Sequence, residues 1–410
     1  MTNYRKKPKI YDIIFNELVV SLIEVLYMSI EEIKKLGKNK CEANFDKLIK
    51  MYGDNSFSVE QKREIVSSIG RQNNQDRIYN FIKENMFKKN YMDVIYQMFR
   101  TTLVYYKEPR FRKLCEEMLA YYNNEVMNKM YEYKLAPKFD KQRLHKSSIK
   151  NPMILWGDSS KTMKNIADGD INLIFTSPPY YNAREYSDYT NYKIYLNELK
   201  KVFTECNRIL QDGRFLIVDV SPVITRRPGR EYASIRYPIH FDLHNILLKA
   251  GFHFIDEIIW EKPEPSVPNR IGGYVQTHMP LTYKPNCVTE SIMVYRKNCD
   301  FLLDRNINMY TSSAHCTLND DIIDRSNIWK IAPASSKKHP AIFPEELCRR
   351  ILKYYSFKGD VVLDPFAGIG TLGRVAYDME RIPVMCEINE NYVRYMKGEN
   401  FYDDFSKTSN

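Results

Sequence analysis

The chain has 410 residues, 44% hydrophobic, 13% aromatic and 27% charged, with a formal net charge of +10. That length and composition suit a globular protein of two or three domains and exclude a membrane-spanning, collagen-like or largely disordered chain, since no apolar run approaches the roughly 18 residues of a membrane span. The opening MTNYRKKPK lacks the apolar stretch of a signal peptide, and the eight cysteines form no CxxC pair, which predicts free thiols in a reducing cytoplasm.

The charge is unevenly placed. Residues 1–150 hold 29 Lys and Arg against 19 Asp and Glu, whereas residues 151–410 hold 32 of each. The excess concentrates in 1–10 and in 134–150, where Lys134, Lys138, Lys141, Arg143, Lys146 and Lys150 face only Asp140. Such clusters suit a polyanion, because Lys and Arg gain by displacing phosphate counterions; a solvated tail and linker would have the same composition.

In chain order, residues 1–150 contain three glycines and three prolines, a scarcity of breakers that predicts helices. Apolar residues at three-to-four spacing predict a helix over Tyr11–Leu36, with further helices over Arg77–Phe87, Asp93–Tyr106 and Phe111–Tyr131. Ser58 with Gln61 reads as a capping box. The sum is a bundle of four to six helices over 1–133, followed by a basic linker over 134–150. From Asn151 the pattern changes. Short strand-like runs (Met153–Trp156, Ile171–Thr176, Arg214–Val220, Phe252–Trp260, Ser291–Tyr295, Val361–Leu363 and Pro383–Cys386) alternate with helical stretches at Tyr195–Leu210, Phe241–Ala250 and Pro344–Tyr355. Gly213 and Gly251 read as helix C-caps. The alternation predicts an α/β domain over 151–410, a mainly parallel sheet of about seven strands with helices on both faces.

Three features fall just past the carboxyl ends of predicted strands, where open α/β sheets hold ligands. Asp364-Pro365-Phe366-Ala367-Gly368-Ile369-Gly370-Thr371 follows one strand, and its glycines allow backbone to pass close to a ligand. Glu387 ends the next strand, 19 positions after Gly368, the spacing of an acid that accepts ribose hydroxyls. Thr176-Ser177-Pro178-Pro179-Tyr180 follows a third. Two prolines make a stiff loop with outward carbonyls. A hydroxyl and a proline carbonyl can take both N–H groups of an exocyclic base amine, which favours a usable lone pair on that nitrogen. The Tyr180 ring can stack on a base removed from its duplex.

Together these motifs resemble the S-adenosylmethionine-dependent DNA amino-methyltransferases, with their D-P-F-x-G-x-G cofactor motif and [DNS]-P-P-[YF] catalytic motif. Because Ser177 precedes Asp364 by 187 positions, the order is similar to the permuted β-type arrangement. The resemblance covers about Met153 to Tyr395 and implies a Rossmann-like class I methyltransferase sheet, with the helical region as an accessory domain. It implies catalytic roles for Ser177, Pro178, Pro179 and Tyr180. For S-adenosylmethionine it implies Asp158, Thr176, His339, Pro340, Phe343, Asp364, Pro365, Phe366, Gly368, Gly370, Thr371, Glu387 and Asn389, with Glu387 on the ribose and Asp158 near the adenine ring. No metal is implied. Serine at the first catalytic position is most often associated with cytosine N4, and aspartate with adenine N6, which stands as the alternative. Methylation of RNA or of a glutamine amide, and a DNA-binding protein that has lost turnover, are more distant readings.

Two further segments read as DNA contacts. One carries Arg226, Arg227, Arg230 and Arg236. The other, Pro263–Asn286, carries Asn269, Arg270, Gln276, His278 and Lys284. Target recognition is therefore expected around 263–330. His315-Cys316, two potential ligands without partners, reads as a satisfied polar pair rather than a metal site. Duplex DNA is the expected partner, in a restriction–modification setting with room for a cognate endonuclease, and the chain is expected to be a monomer or homodimer.

Overall fold

The structure, a computed structural model, describes residues 28–135, 147–181, 189, 191–224, 231–232, 235–267, 278–283, 285–299, 324–335 and 342–398. The chain divides between Pro137 and Lys138 into two compact units.

The first unit is helical: α1 (Ile30–Lys38), α2 (Glu42–Gly53), α3 (Val59–Gly70), α4 (Gln75–Asn85), α5 (Met92–Val104), α6 (Pro109–Tyr122) and α7 (Glu125–Leu135). Among the described residues that is one more helix than the four to six expected, because the Phe111–Tyr131 stretch is divided. Ser29 opens α1 with a capping box closed by Glu32, so no single helix runs from Tyr11 to Leu36; residues 11–27 lie outside the described ones. Phe111–Tyr131 is split where Asn123 adopts a left-handed φ of 44° and the Asn124 side chain accepts the N–H groups of Val126 and Met127. The Ser58–Gln61 capping box forms as expected. Ile33, Leu48, Ile65, Ile69, Ile78, Phe99 and Phe111 are buried in a core of the unit's own.

The second unit is built on an eight-stranded sheet: β1 (Met153–Trp156), β2 (Ile171–Thr176), β3 (Leu210–Val220), β6 (Phe252–Glu261), β7 (Thr289–Lys297), β8 (Ile328–Lys330), β9 (Val361–Asp364) and β10 (Ile382–Glu387), with β4 (Val223–Ile224) and β5 (Arg236–Tyr237) forming a separate two-stranded ladder. The order is β1-β10-β9-β2-β3-β7-β6-β8. The first five run parallel, β7 is antiparallel to both neighbours, and β8 is parallel to β6. This is the doubly wound, Rossmann-like plan expected, with one strand more: β8 lies in a stretch that reads as polar loop, and β7 also falls within the 263–330 segment.

Every residue of β2 is buried, as a strand covered on both faces requires. Ile174 faces helices α9 (Tyr192–Ile209) and α10 (Ile239–Lys249). Leu173 and Phe175 face α11 (Glu345–Tyr355) and α12 (Thr371–Asp378). Gly251 follows α10 with φ 96°, but Gly213 does not cap a helix: α9 ends at Ile209, and Gly213, at φ 76°, lies inside β3 where its register against β2 shifts. Among the described residues no helix is long and apolar enough to cross a membrane.

Candidate active site

The sheet order brings β9 and β2 side by side although they are distant in sequence, and the chain leaves them in opposite directions. Their carboxyl ends therefore form the topological switch point of the sheet, the crevice where such folds bind ligands. Asp364 ends β9 and Thr176 ends β2. The Thr176 hydroxyl donates to Asp364 Oδ1 across 2.6 Å, and the Phe366 N–H donates to the same oxygen across 2.9 Å. Asp364 thus shapes the turn that follows it and ties that turn to the start of the Ser177–Tyr180 loop.

Burial pushes the Asp364 carboxyl from the ordinary 3.8 up to about 7, against the two hydrogen bonds and with some help from the Glu387 charge. Folding therefore favours its protonated form. Its contribution to stability is full below about pH 4 and is lost as pH rises towards 7. Asp364→Asn keeps the acceptor oxygen and cannot ionise. Between about pH 4 and 7.5 the variant's unfolding free energy is expected to rise by about 2–4 kcal/mol relative to the parent. Parallel denaturation curves across that range would contradict the assignment.

The glycine turn is held from below. Gly368 and Gly370 have φ 55° and 80°, conformations that disfavour side chains, and Gly370 is followed directly by α12, which Thr371 begins. Glu387, at the tip of β10, accepts the Gly368 N–H at 2.8 Å and the Asn389 N–H at 2.7 Å. Burial raises its pKa, opposed by those backbone donors. A carboxylate has about four lone-pair sites, so two bonds leave room for ligand hydroxyls.

Asp158 caps the short helix α8 (Ser159–Thr162). Burial opposes its ionised form, but Ser160 and Lys161 outweigh this and lower its pKa. Two contacts bring it to the turn: the Gly157 N–H donates to the Glu387 carbonyl at 2.9 Å, and the Ser159 hydroxyl donates to the Pro365 carbonyl. A buried acid, a second acid one strand away and a glycine turn opening a helix fit an adenosine carrying a methionine end. The Asn389 side chain caps α13 (Glu390–Met396), so its link to the site is through its backbone. Phe343 stacks on Phe175 at 4.5 Å, beside β2.

The Ser177–Tyr180 loop leaves β2 with Pro178 buried and Tyr180 partly so. The Tyr180 hydroxyl donates to Glu290 Oε2 at 2.7 Å. Burial, then the charges of Glu290 and Asp219, push the phenol well above its usual range. Glu290 lies on β7 and is paired with Lys262, just past β6; Asp219, near the end of β3, is 2% exposed. None of these three belongs to a motif legible in the sequence. Asp219, a lone acid inside the apolar run Phe215–Val220, was the available signal.

Of the expected DNA contacts, Arg236 is exposed on β5 and His278 is exposed at the start of a short described stretch. Arg226, Arg227, Arg230, Asn269, Arg270, Gln276 and Lys284 lie outside the described residues, as do His339, Pro340, His315, Cys316 and the linker lysines from Lys138 to Lys146. Among the described residues no three metal-capable side chains gather.

Comparison with known proteins fits this geometry. A family model described as DNA methylase, covering N6 and N4 methyltransferases, matches residues 171–398. The chain is 29% identical over 258 residues to the Type II beta methyltransferase M.BslI of Bacillus sp. (strain NEB-606), covering 58% of this chain and 26% of that protein. It is 28% identical to the Type II methyltransferase M.MwoI of Methanothermobacter wolfeii, covering 61% of this chain and 33% of that protein. The chain thus spans only about a quarter to a third of those two relatives. It covers 88% of the orphan methyltransferase M.BamHII of Bacillus amyloliquefaciens, at 29% identity over 56% of this chain. A solved DNA modification methylase of Thermus thermophilus is 26% identical with a TM-score of 0.46, covering 60% of this chain and 92% of that one. With more than half of its length matched by the family model, the chain belongs to the N6/N4 DNA methylase family.

Proposed function

We propose that the chain transfers a methyl group from S-adenosylmethionine to the exocyclic amine of a base flipped out of duplex DNA, that the base is cytosine and the acceptor its N4, and that the setting is restriction–modification. The observation that carries this reading is the Thr176–Asp364 bond, which fixes the Ser177–Tyr180 loop against the glycine turn. The cofactor supplies an electrophilic sulfonium methyl. Asp364, Gly368 and Gly370 would hold its methionine end, Glu387 its ribose and Asp158 the region of its adenine. Ser177 and the Pro178 carbonyl accept the amine's two N–H groups, drawing the nitrogen away from conjugation with the ring, and Tyr180 offers its ring to the base. Most of the acceleration comes from holding both reactants in line.

The choice of cytosine rests on serine at position 177. Contact with DNA is supported by the described part of the 263–286 segment, which lies in the chain between Lys262, just past β6, and Glu290 on β7. It exposes Met279, Leu281 and Tyr283, with Leu281 at φ 69°. Exposed apolar side chains on a strained loop suit insertion into a base stack. The basic tail and linker supply salt-sensitive affinity in this reading.

Incubation with methyl-labelled S-adenosylmethionine and mixed-sequence duplex DNA tests the proposal. Label in the DNA is expected; none, with cofactor demonstrably bound, would leave a DNA-binding protein without turnover.

A further inference from the structure

The residue that follows the Ser177–Tyr180 loop is a second tyrosine, and other rings surround it. Tyr181 is 6% exposed. Its ring meets Tyr237 at 4.8 Å with the planes at 71°, Tyr192 at 5.3 Å and 69°, and Tyr195 at 5.6 Å and 49°. Tyr192 and Tyr237 also meet, 4.5 Å apart. Tyr192 and Tyr195 stand at the start of α9, which the Asn191 side chain caps, and the Tyr192 hydroxyl donates to Asp242 Oδ2 on α10 at 2.8 Å. Tyr237 comes from the other side. It lies on β5 opposite buried Val223 of β4, and because strand neighbours point to opposite faces it packs inward while Arg236 stays exposed.

The catalytic loop needs such an anchor. Thr176 ties its near end to Asp364, and two prolines fix two of its φ angles. A stiff segment held at one end can still pivot, and a pivot carries Ser177 and Tyr180 away from the glycine turn. A misplacement of about 1 Å costs about 100-fold in rate. Burial alone does not prevent it, because apolar attraction has no direction. Ring pairs do have direction, since the positive edge of one ring seeks the negative face of another, and each contributes about 0.5–1.5 kcal/mol beyond burial. Tyr192 and Tyr195 back the Tyr181 ring from α9, and Tyr237 closes the cage from the β4–β5 ladder.

We infer that Tyr237 is a positioning residue: through the Tyr181 ring it fixes the far end of the Ser177–Tyr180 loop, so that the loop receives the target base in line with the methyl donor. The inference rests on the amine-methylation reading above. Without the Tyr237 ring, Tyr181 keeps its burial and loses its orientation.

Tyr237→Leu keeps an apolar side chain and removes the ring. Its kcat for methylation of mixed-sequence duplex DNA is expected to fall about ten-fold, while the S-adenosylmethionine Kd and the DNA KM stay at parental values. Tyr237→Phe, which keeps the ring, is expected to retain parental kcat. Tyr181→Leu is expected to cost about as much as Tyr237→Leu, and the two together no more than either, because both break one contact. Phe203→Leu separates positioning from stability: it thins the same core about three turns along α9 from Tyr192, and is expected to lower Tm and leave kcat unchanged. Parental kcat in Tyr237→Leu, an equal loss of kcat in Tyr237→Phe or Phe203→Leu, or losses that multiply in the double variant would overturn the inference. If Tyr237→Leu does not fold, Tyr237→Met fills more of the space with a side chain of no fixed shape; the same fall is expected, and parental kcat refutes the role. Absence of methylation by the parent would instead refute the proposed function.

Discussion

Ser177→Ala is expected to lower kcat for DNA methylation by about 100- to 1,000-fold and to leave cofactor binding unchanged. The magnitude follows from what one preorganised hydrogen-bonding group contributes at a reacting centre, about 3–4 kcal/mol where water is excluded. Selectivity follows from the fold. Ser177 stands on the loop after β2, while the glycine turn and Glu387 belong to β9 and β10 and are joined to that loop through Thr176 and Asp364. Alanine leaves both of those side chains in place. Ser177→Asp, which restores an acceptor, is expected to recover part of the lost rate. Single-turnover methylation with calorimetric binding of S-adenosylmethionine separates the two effects. A loss of affinity matching the loss of rate would move Ser177 from the chemistry to the cofactor.

Glu387→Ala is expected to act in the opposite sense, raising the S-adenosylmethionine Kd by at least about 100-fold. Hydrogen bonds to a charged group contribute about 1.5–3 kcal/mol each, and two ribose hydroxyls would be lost together. The structure adds a second cost: the Gly368 and Asn389 N–H groups lose their acceptor, so the turn itself loosens. Glu387→Gln keeps one accepting oxygen and is expected to fall between the parent and alanine. At saturating cofactor the alanine variant should regain most of its kcat, because no reacting atom touches this residue. A Kd changed less than about three-fold would show that the carboxylate serves the turn alone.

The elements that were legible in sequence are local. Val361–Leu363, Ile171–Thr176 and Pro383–Cys386 read as buried strands because short, mostly apolar runs are written in consecutive residues. The motifs at their ends are what mark the candidate site in the sequence. What was not legible depends on partners far along the chain. Glu290 sits one residue before the strand expected at Ser291, where an acid reads as solvated; only the β3–β7 and β6–β7 pairings bring it to Tyr180. Lys262 reads as a loop cation for the same reason. The Phe111–Tyr131 stretch divides although its apolar spacing continues, because Asn123 takes a left-handed φ and the Asn124 side chain caps the next helix, and Ser29 likewise opens α1 with a cap inside a periodic stretch. Gly213 follows a helix at the spacing of a cap, yet the chain had already entered β3.

The most direct test of the central claim is the identity of the modified nucleoside. Duplex DNA treated with the protein and methyl-deuterated S-adenosylmethionine is digested and resolved by mass spectrometry. Deuterated N4-methyldeoxycytidine is expected, with its rate of formation about 100- to 1,000-fold lower for Ser177→Ala. Deuterated N6-methyldeoxyadenosine in its place would contradict the assignment of cytosine, and no deuterated nucleoside at all would contradict the assignment of methyl transfer to DNA.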